Sequence, residues 1–435
     1  MNPAIVIPSY WSSGERLGES GSVACYDHAT PIDAPAPQLA ECLKSLSQVA
    51  GLGSVVILVV ASPDVEERAV RRVADIAAAC EMPDAVIVDS FKAAGLRDQY
   101  AHLLPADLSD AIGLVGYGAV RNLGLLACCA LGCDVAVFID DDEVVLDPEF
   151  LAQAVYGLGA QPRTGTPIVA KSGYFLDHRN SALADRRKVH FYDRHWSKRL
   201  EFNEWMTQAL AGPRISRSNT VCGGCFAVHA EAFTRVSFDA WIMRGEDTDY
   251  LIDLRAYGMD VWFDNKWRVR HNPPRLADRA FRFEQDVYRW VYTRRKIEVL
   301  NSNIDLHKIL PEQFMPYPGP WIGPELPTRI RKTVRLRSIF SPERHAYAQI
   351  RRTWRKDAVA YAEANCNNYM RFQTHWAEIA SLAWQNEAME HMLRGQGMLN
   401  PTVAAHVAQA RGQQASAPIE SQAPEVADDA RGEQA

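Results

Sequence analysis

The chain has no uninterrupted apolar segment long enough to cross a membrane. A spanning helix needs about 20 consecutive apolar residues, and the longest candidate, residues 123–137, contains Asp134 and two glycines. The first residues, MNPAIVIPSYW, have neither the basic start nor the small-residue cleavage site of a secretory signal peptide. We therefore expect a cytoplasmic protein.

An excess of basic residues and a disulfide framework are also absent. The 47 lysines and arginines are outnumbered by 53 acidic residues, giving a net charge of −6, which argues against a protein built to bind nucleic acid. The nine cysteines lack framework spacing, and several lie in apolar runs, as reduced thiols do. Cys222 and Cys225 are interpreted as structural thiols in an apolar strand, because a zinc knuckle needs a second pair.

The first half of the sequence alternates short apolar runs with segments of helical periodicity. Strands are predicted at 4–8, 55–60, 85–88 and 135–139, and helices at 38–49, 65–80 and 119–131. Continuous apolar strands separated by helices are typical of a mostly parallel sheet with helices on both faces. The sequence therefore predicts an α/β fold.

The second half adds strands and then becomes helical. Strands are predicted at 167–171, 222–228 and 267–270, helices at 276–302 and 330–397, and a proline-rich break at 316–327. A long polar stretch rich in aromatic residues, 174–220, follows the first of these strands. We divide the chain into an α/β domain (1–275), a helical C-terminal region (276–400) and a disordered acidic tail (401–435) without aromatics.

The most informative motif is FIDDDE, residues 138–143, where an apolar strand runs into four acidic residues. In an extended chain, Asp140 and Asp142 point the same way and Asp141 points away. Carboxyl ends of parallel strands bind ligands in open α/β sheets, and two converging carboxylates favour a hard cation such as Mg²⁺ or Mn²⁺. The alternative, a solvated acidic turn, accounts poorly for three aspartates after a buried strand.

A second acidic group, Glu246, Asp247 and Asp249, begins a predicted helix that Gly258 ends. Acidic residues in a first turn stabilise the helix dipole without any further role. Alternatively, one of these carboxylates faces a cleft as a general base.

Two other motifs supply cationic or metal-binding side chains. Arg121 and Asn122 lie in a glycine-punctuated entry to an apolar helix, where an arginine can hold phosphate oxygens. A dinucleotide fingerprint would need glycine at position 121 and would follow the first strand, so a dehydrogenase is excluded. His271 follows a strand-like run, where it is either a structural histidine or a further metal ligand.

In this order, the motifs resemble the family 2 type of inverting glycosyltransferases with the GT-A fold. The resemblance is carried by IPSY (7–10), GAVRNLG (118–124), FIDDDE (138–143), GGCF (223–226), Gly-Glu-Asp (245–247) and His271. It implies a nucleotide-diphosphate sugar donor and a divalent cation held by Asp140, Asp142 and His271. It also implies Asp247 as the general base, with Glu246 beside it in the catalytic motif.

The same resemblance implies a set of donor-binding residues and leaves the acceptor open. The expected donor contacts are Pro8, Ser9, Tyr10, Ser62, Asp64, Arg121, Asn122, Asp140 and Asp141. The acceptor is a glycan, a lipid-linked sugar or a small molecule. The aromatic-rich stretch 174–220 is interpreted either as an acceptor-binding segment or as a surface lid. An insertion before the first helix contains Asp27 and His28, which either contact substrate or cap a loop.

Two alternative functions also fit the sequence. FIDDDE also fits the nucleophile motif of haloacid-dehalogenase-type phosphatases, although three strands precede it here, and an inactive nucleotide-sugar-binding relative is a third hypothesis.

Residues 329–356 carry ten lysines and arginines against one acid, Glu343. This basic segment is expected to contact the inner face of a membrane, to pack on the catalytic domain or to form a homodimer.

Overall fold

The computed structural model describes residues 1–14, 26, 29–82, 84–162, 165–185, 190–272 and 279–395. Its strands are β1 (Pro3–Ser12), β2 (Thr30–Pro31), β3 (Ser54–Ala61), β4 (Val86–Val88), β5 (Val135–Phe138), β6 (Glu143–Val145), β7 (Ala170–Leu176), β8 (Ile215–Arg217), β9 (Phe226–His229) and β10 (Val261–His271). The helices of the α/β part are α1 (Gln38–Leu46), α2 (Glu66–Ala79), α3 (Ser90–Tyr100), α4 (Tyr117–Ala130), α5 (Phe150–Val155), α6 (Lys198–Ala211), α7 (Ala230–Phe233) and α8 (Glu246–Ala256). The later helices are α9 (Arg279–Ser302), α10 (Gly319–Ile322), α11 (Leu326–Phe340), α12 (Arg344–Ala383) and α13 (Glu387–Arg394).

The strands form one mixed sheet in the order β4-β3-β1-β5-β9-β7-β10-β6, with β2 paired to β1 and β8 to β10. The half from β4 to β5 is parallel. Antiparallel β9 then lies between β5 and β7. The α/β prediction is confirmed, and the carboxyl ends of β1, β3 and β5 meet at one edge, where such sheets bind ligands.

Apolar side chains point alternately to the two faces of the sheet along the central strands, and both faces are buried. On β1 and β3, Val6 and Leu58 belong to the hydrophobic cluster on one face, whereas Ile5 and Ile57 belong to the cluster on the other. Helix α1 covers the second face with residues spaced one turn apart, including Leu39 and Leu43. This double burial explains why the strands are continuously apolar.

Several predicted boundaries differ from the structure. Residues Cys222–Cys225 form a turn in which the Cys225 amide donates to the Cys222 carbonyl at 2.9 Å, so the strand predicted at 222–228 begins only at Phe226. The eight described cysteines are free thiols. Within the stretch 174–220, the sequence prediction missed α6, whose few buried residues, including Asn203 and Trp205, form no apolar stripe.

The C-terminal region is helical, as predicted, and packs on the α/β part. In the basic segment, Ile330, Val334 and Tyr347 are buried in the same hydrophobic cluster as Phe226 of the sheet. The segment therefore packs through its apolar face, while the boundary at residue 275 stays a prediction. Among the described residues, no helix combines the length and apolar character needed to cross a bilayer. Asp27, His28 and the predicted tail lie outside the described residues.

Candidate active site

The carboxyl ends of β1 and β5 are joined by a buried aspartate. Asp141 accepts a hydrogen bond from the Ser9 hydroxyl at 2.9 Å and one from the Tyr10 amide at 3.3 Å. The Trp11 indole donates to the Ser9 hydroxyl at 2.9 Å, which fixes the orientation of that hydroxyl. The structure therefore brings Ser9, Tyr10 and Asp141 together, whereas Pro8 is buried within β1 opposite Leu58.

The acidic run after β5 turns instead of staying extended. The Glu143 amide donates to the Asp140 carbonyl at 3.1 Å, which closes a turn before β6 begins. Each aspartate consequently contacts a different part of the chain: Asp140 a helix, Asp141 strand β1 and Asp142 the end of β10. The extended geometry expected for Asp140 and Asp142 is wrong, because the chain must reverse to pair β6 with β10.

Arg121 connects two acidic segments of the site. Its Nη2 atom lies 2.8 Å from the Asp140 carboxylate and its Nε atom 3.2 Å from Glu246. Burial raises the pKa of Glu246, while the Arg121 guanidinium opposes that rise. Arg121 therefore links α4, the end of β5 and the start of α8, an arrangement suited to its forked donor group.

Asn122, although adjacent in sequence, does not reach this site. Its amide nitrogen donates to the carbonyls of Ala111 and Phe238 at 2.9 Å each, and its amide oxygen accepts from the Phe238 amide at 2.8 Å. The side chain is fully buried. Asn122 thus ties loop backbone together, and the structure gives no support to its expected contact with a donor.

Ser62 and Asp64 follow β3 at the same edge of the sheet. The Ser62 amide donates to the Trp11 carbonyl at 3.1 Å, which places this segment beside the end of β1. The Asp64 carboxylate is exposed, and hydrogen bonds from the Ser62 and Ser13 hydroxyls lower its pKa. An ionised carboxylate is thereby available at the edge as a hydrogen-bond acceptor.

Asp247 lies in the first turn of α8, close to the Arg121 and Asp140 pair. Its Oδ1 atom accepts from the Thr248 amide at 2.6 Å. Its Oδ2 atom faces Gly223, where a Cβ atom would lie 3.3 Å away, and where the same Cβ would lie 3.2 Å from Nη2 of Arg121. The carboxylate is only partly buried, so one oxygen remains directed toward the space beside the glycine turn.

Glu143 is a site residue to which sequence analysis assigned no role. It is 2% exposed, and burial raises the pKa of its carboxyl, with further increases from Asp140 and Asp142. A Cβ atom on Gly224 would lie 1.8 Å from its Oε2 atom. The Gly223-Gly224 pair therefore lets a buried carboxyl group approach the backbone. Paired glycines, together with an acidic strand end, were the sequence features from which the role of Glu143 could have been predicted.

His271, at the end of β10, contacts the last aspartate of the acidic run. Its Nε2 atom lies 3.2 Å from the Asp142 Oδ2 atom. The Asn272 amide donates to the Asp142 carbonyl at 3.0 Å, which holds the two segments together. The structure thus pairs two of the three predicted metal ligands.

The predicted ligand atoms suit a cation whose coordination shell is completed by substrate. Among the residues that the structure describes, no three histidine, cysteine, aspartate or glutamate side chains form a complete cation site. Mg²⁺ commonly uses only one or two protein carboxylates, with substrate phosphates and water completing its shell. Asp142 and His271 supply one such neighbouring oxygen and nitrogen pair, whereas the partly exposed carboxylate of Asp140 pairs with Arg121 and forms no three-residue group with them.

Comparison with known proteins assigns the family. The sequence profile described as Glycosyltransferase like family 2 matches residues 22–293, more than half of the chain. The chain belongs to this family. It is therefore a glycosyltransferase of the nucleotide-sugar-dependent kind, and the phosphatase hypothesis is wrong. No curated protein gives a match.

Solved structures with a similar fold include two glycosyltransferases. Mannosyltransferase PcManGT from Pyrobaculum calidifontis, in complex with GDP-Man and Mn²⁺, is 16% identical, with 89% of this chain and 87% of that chain covered and a TM-score of 0.39. Glucosyl-3-phosphoglycerate synthase from Mycobacterium tuberculosis, with Mn²⁺ and UDP-glucose, is 15% identical, with coverages of 69% and 78% and a TM-score of 0.34. The family assignment rests on the sequence match, not on these distant likenesses.

Proposed function

We propose that the protein is a metal-dependent inverting glycosyltransferase that moves a sugar from a nucleotide-diphosphate donor to an acceptor hydroxyl. The observation that supports this most strongly is the position of Asp247. Its Oδ2 atom faces the Gly223 turn, next to Arg121, while Arg121 also contacts Asp140 at the strand end. Such a transfer requires a general base on one side of the reacting groups and an acidic strand end that can bind a cation on the other.

The donor would lie along the edge formed by β1, β3 and β5. The exposed Asp64 carboxylate can accept hydrogen bonds from nucleoside hydroxyl groups, and Asp141 keeps the ends of β1 and β5 in register. Asp140, Asp142 and His271 would hold a Mg²⁺ or Mn²⁺ ion. When bound, such an ion neutralises the negative charge that develops on the leaving diphosphate.

Asp247 and Glu246 would have different tasks. Glu246 is buried against Arg121 and so positions that guanidinium, whereas Asp247 is partly exposed and can accept the proton of the acceptor hydroxyl. The acceptor oxygen bonds to the anomeric carbon as the bond to the diphosphate oxygen breaks, so attack from the opposite face inverts the anomeric configuration. A positioned general base usually contributes about 10²–10⁴-fold to the rate.

Donor binding and transfer can be tested separately. We expect one group of nucleotide-sugars to raise the melting temperature with Mn²⁺ and much less without it. Asp247→Asn should keep that shift but lose at least 100-fold in transfer rate, while Asp142→Ala should lose the Mn²⁺-dependent shift. The control is Asp98→Asn on the exposed surface of α3. Normal turnover by Asp247→Asn would rule out Asp247 as the general base. If the unaltered protein binds the donor but neither transfers its sugar nor hydrolyses it, the inactive-relative hypothesis is favoured.

We also propose that the basic segment 329–356 contacts an anionic membrane surface. Phe191, Ile339 and Phe340 are 60%, 54% and 51% exposed, and the rings of Phe191 and Phe340 lie 4.9 Å apart beside the turn between α11 and α12. Eight cationic side chains of the same segment are also exposed, at positions 331, 332, 335, 344, 351, 352, 355 and 356. Exposed aromatic and cationic side chains on one helical segment are typical of peripheral membrane contact.

Sedimentation with phosphatidylserine vesicles at low salt measures this contact. We expect binding that weakens with added salt, and a several-fold loss of binding in Phe340→Ser. The buried apolar face of the segment is already covered by the chain itself, so Phe340→Ser should leave folding intact. Equal binding to neutral and anionic vesicles, or none to either, would contradict the proposal.

A further inference from the structure

A cleft of about 560 Å³ lies between the loop that precedes α6 and the first turns of α11. Its walls include Arg194 and His195 of the loop, Glu201 of α6, and Arg329 and Lys332 of α11. The residues that line this cleft are different from those assigned above to the donor, the cation and the base. Because clefts of this size hold small ligands, it is a candidate for a second binding site.

Arg329 has a fixed position in the wall of the cleft. Its Nη1 atom lies 3.3 Å from the Oε1 atom of Glu201, and its Nε atom lies 3.6 Å from the Oε2 atom of Glu325. The Trp321 ring lies 5.0 Å from the guanidinium carbon. A guanidinium group has five N–H donors in a planar fork, so donors remain for a ligand after these two contacts.

Three cationic side chains surround one imidazole ring of the cleft. The Nε atom of Arg194 donates to the Nε2 atom of His195 at 3.2 Å, so the neutral ring carries its hydrogen on Nδ1. Burial lowers the pKa of His195, and the positive charges of Arg194, Lys332 and Arg329 lower it further. The ring is therefore neutral at pH 7, and the three cations lie close to one another.

Two of these cations do not contact a carboxylate. Both glutamates of the cleft, Glu201 and Glu325, contact Arg329. Arg194 and Lys332 are exposed, and neither forms an ion pair within the part of the chain that the structure describes. An anion in the cleft can therefore contact both side chains without breaking an existing ion pair.

The loop that carries Arg194 and His195 is fixed at both ends. The ring of Trp196, which follows His195, lies 4.6 Å from the ring of Trp321, and both tryptophans are buried. On the other side, the Asp193 carboxylate lies 2.7 Å from the Arg337 guanidinium of α11. Binding groups that are already ordered lose less entropy when a ligand binds.

We propose that Arg194, Arg329 and Lys332 form a binding site for a phosphate group. Arginine pairs with phosphate through two parallel hydrogen bonds, and lysine contributes a point charge. With His195 neutral, the three cations and the two glutamates leave the cleft with one net positive charge. The phosphate belongs to a lipid head group or to a soluble phosphate ester. This inference goes beyond the proposed sugar transfer and does not depend on it.

The position of the cleft favours a lipid head group as the source. Lys332 and Phe340 lie about 12 Å apart along α11, at 1.5 Å per residue. The ring of Phe191, in the segment that leads to Arg194, lies 4.9 Å from the ring of Phe340. The cleft therefore lies close to the exposed aromatic side chains that we propose contact a membrane, where a phospholipid can place its phosphate.

Direct binding is tested by calorimetry with inorganic phosphate on the full chain at pH 7. We expect Lys332→Met to raise the Kd for phosphate about tenfold, as for the loss of one charge-assisted hydrogen bond. The matched control is Lys356→Met, which removes an exposed lysine of the same basic segment outside the cleft and should leave the Kd unchanged. No binding by the unaltered protein, equal binding by Lys332→Met, or equal weakening in both variants would overturn the site.

Sedimentation with vesicles that contain phosphatidic acid distinguishes the two sources. A lipid-borne phosphate predicts several-fold weaker vesicle binding by Lys332→Met than by Lys356→Met, and competition by soluble glycerol 1-phosphate. Equal vesicle binding by the two variants, with tighter binding of glycerol 1-phosphate than of inorganic phosphate, would overturn the lipid source and assign a soluble ester. Absence of vesicle binding by every variant would overturn the proposed membrane contact, while the phosphate titration still decides whether the site exists.

Discussion

At Gly224 the space for a side chain is already occupied by a carboxyl group. A Cβ atom there would lie 1.8 Å from Oε2 and 2.3 Å from Cδ of Glu143. Glu143 is itself buried beneath the acidic turn and has a raised pKa caused first by burial. Glu143 can therefore occupy its position in the strand-end site only because residue 224 is glycine.

We predict that Gly224→Ala displaces Glu143 and disturbs the turn at Asp140 and Asp142. Overpacking of this kind typically costs about 1–3 kcal/mol of unfolding free energy, and the affinity for donor and Mn²⁺ should fall with it. Urea unfolding and donor titration measure the two effects. The matched control is Gly14→Ala, because a Cβ atom at Gly14 meets nothing within 4 Å. Equal stability and affinity in both variants would contradict this account.

Arg121 shows how far sequence reasoning reaches at the residue scale. Its place at the start of an apolar helix predicted a phosphate contact, and the structure does place it beside the strand-end carboxylates. Its bridge to Glu246 could not be predicted, because 125 residues separate the two in sequence. The bridge depends on where the tertiary fold places the start of α8 relative to α4, which no local sequence pattern specifies.

Strand β10 shows the same limit at the scale of an element. Its apolar end predicted a strand at 267–270, but the structure extends it from Val261 to His271. The prediction stopped short because Asp264, Asn265 and Lys266 interrupt the apolar pattern. Asp264 is nonetheless fully buried, since its partner Lys171 lies on neighbouring β7, 93 residues away. Apolar strands can be predicted from local pattern, whereas a buried ion pair needs both partners in place.

The Lys171–Asp264 pair joins β7 to β10 and yields a prediction at this scale. The Lys171 ammonium lies 3.0 Å from Asp264 and donates to the Tyr156 carbonyl at 2.8 Å, and both side chains are fully buried. Burial lowers the pKa of Lys171 to about 8, with Asp264 opposing the shift. Lys171→Met leaves Asp264 with the more distant Arg214, at 3.3 Å.

We expect Lys171→Met to lose about 3–5 kcal/mol of unfolding free energy, because removing one partner of a buried pair leaves the other charge uncompensated. Urea unfolding measures the loss. The control is Lys266→Met, which removes an exposed lysine two residues from Asp264 and should change little. The double variant Lys171→Met with Asp264→Asn should recover part of the loss. A double variant less stable than the sum of the single changes would contradict the pairing.

At the scale of the whole molecule, the buried Lys296 connects the segment that carries the proposed base to the C-terminal helices. The Lys296 ammonium, on α9, lies 3.0 Å from Asp239 and 2.8 Å from Asp253, and also contacts Asp249. The Tyr369 ring of α12 lies 4.0 Å from the same nitrogen. Asp249 and Asp253 belong to α8, the helix that begins with Glu246 and Asp247. The helical C-terminal region therefore directly supports the helix that carries the proposed base.

The charges of this cluster set a dependence of stability on pH. Burial raises the pKa of Asp249 to about 6 and that of Asp253 well above its usual value, while Lys296 opposes both shifts. Carboxyl groups with raised pKa values bind more protons in the folded chain than in the unfolded chain. Their contribution to stability therefore falls as pH rises above about 4. Without Lys296, the pKa values should rise further, and the fall should extend to higher pH.

We predict that Lys296→Met is destabilised by about 3–5 kcal/mol at pH 8 and by clearly less at pH 5, where the carboxyl groups can be protonated. Urea unfolding of both proteins at the two pH values gives the comparison. Arg295→Met, which removes an exposed partner of Glu298 from the same helix, is the control and should cost less than about 1 kcal/mol at either pH. An equal loss in Lys296→Met at pH 5 and pH 8 would show that the lysine stabilises the molecule by packing and not by its charge. The pH-dependent loss is expected because burial keeps the carboxylates of Asp249 and Asp253 from water, so that only a cation or a proton can compensate them.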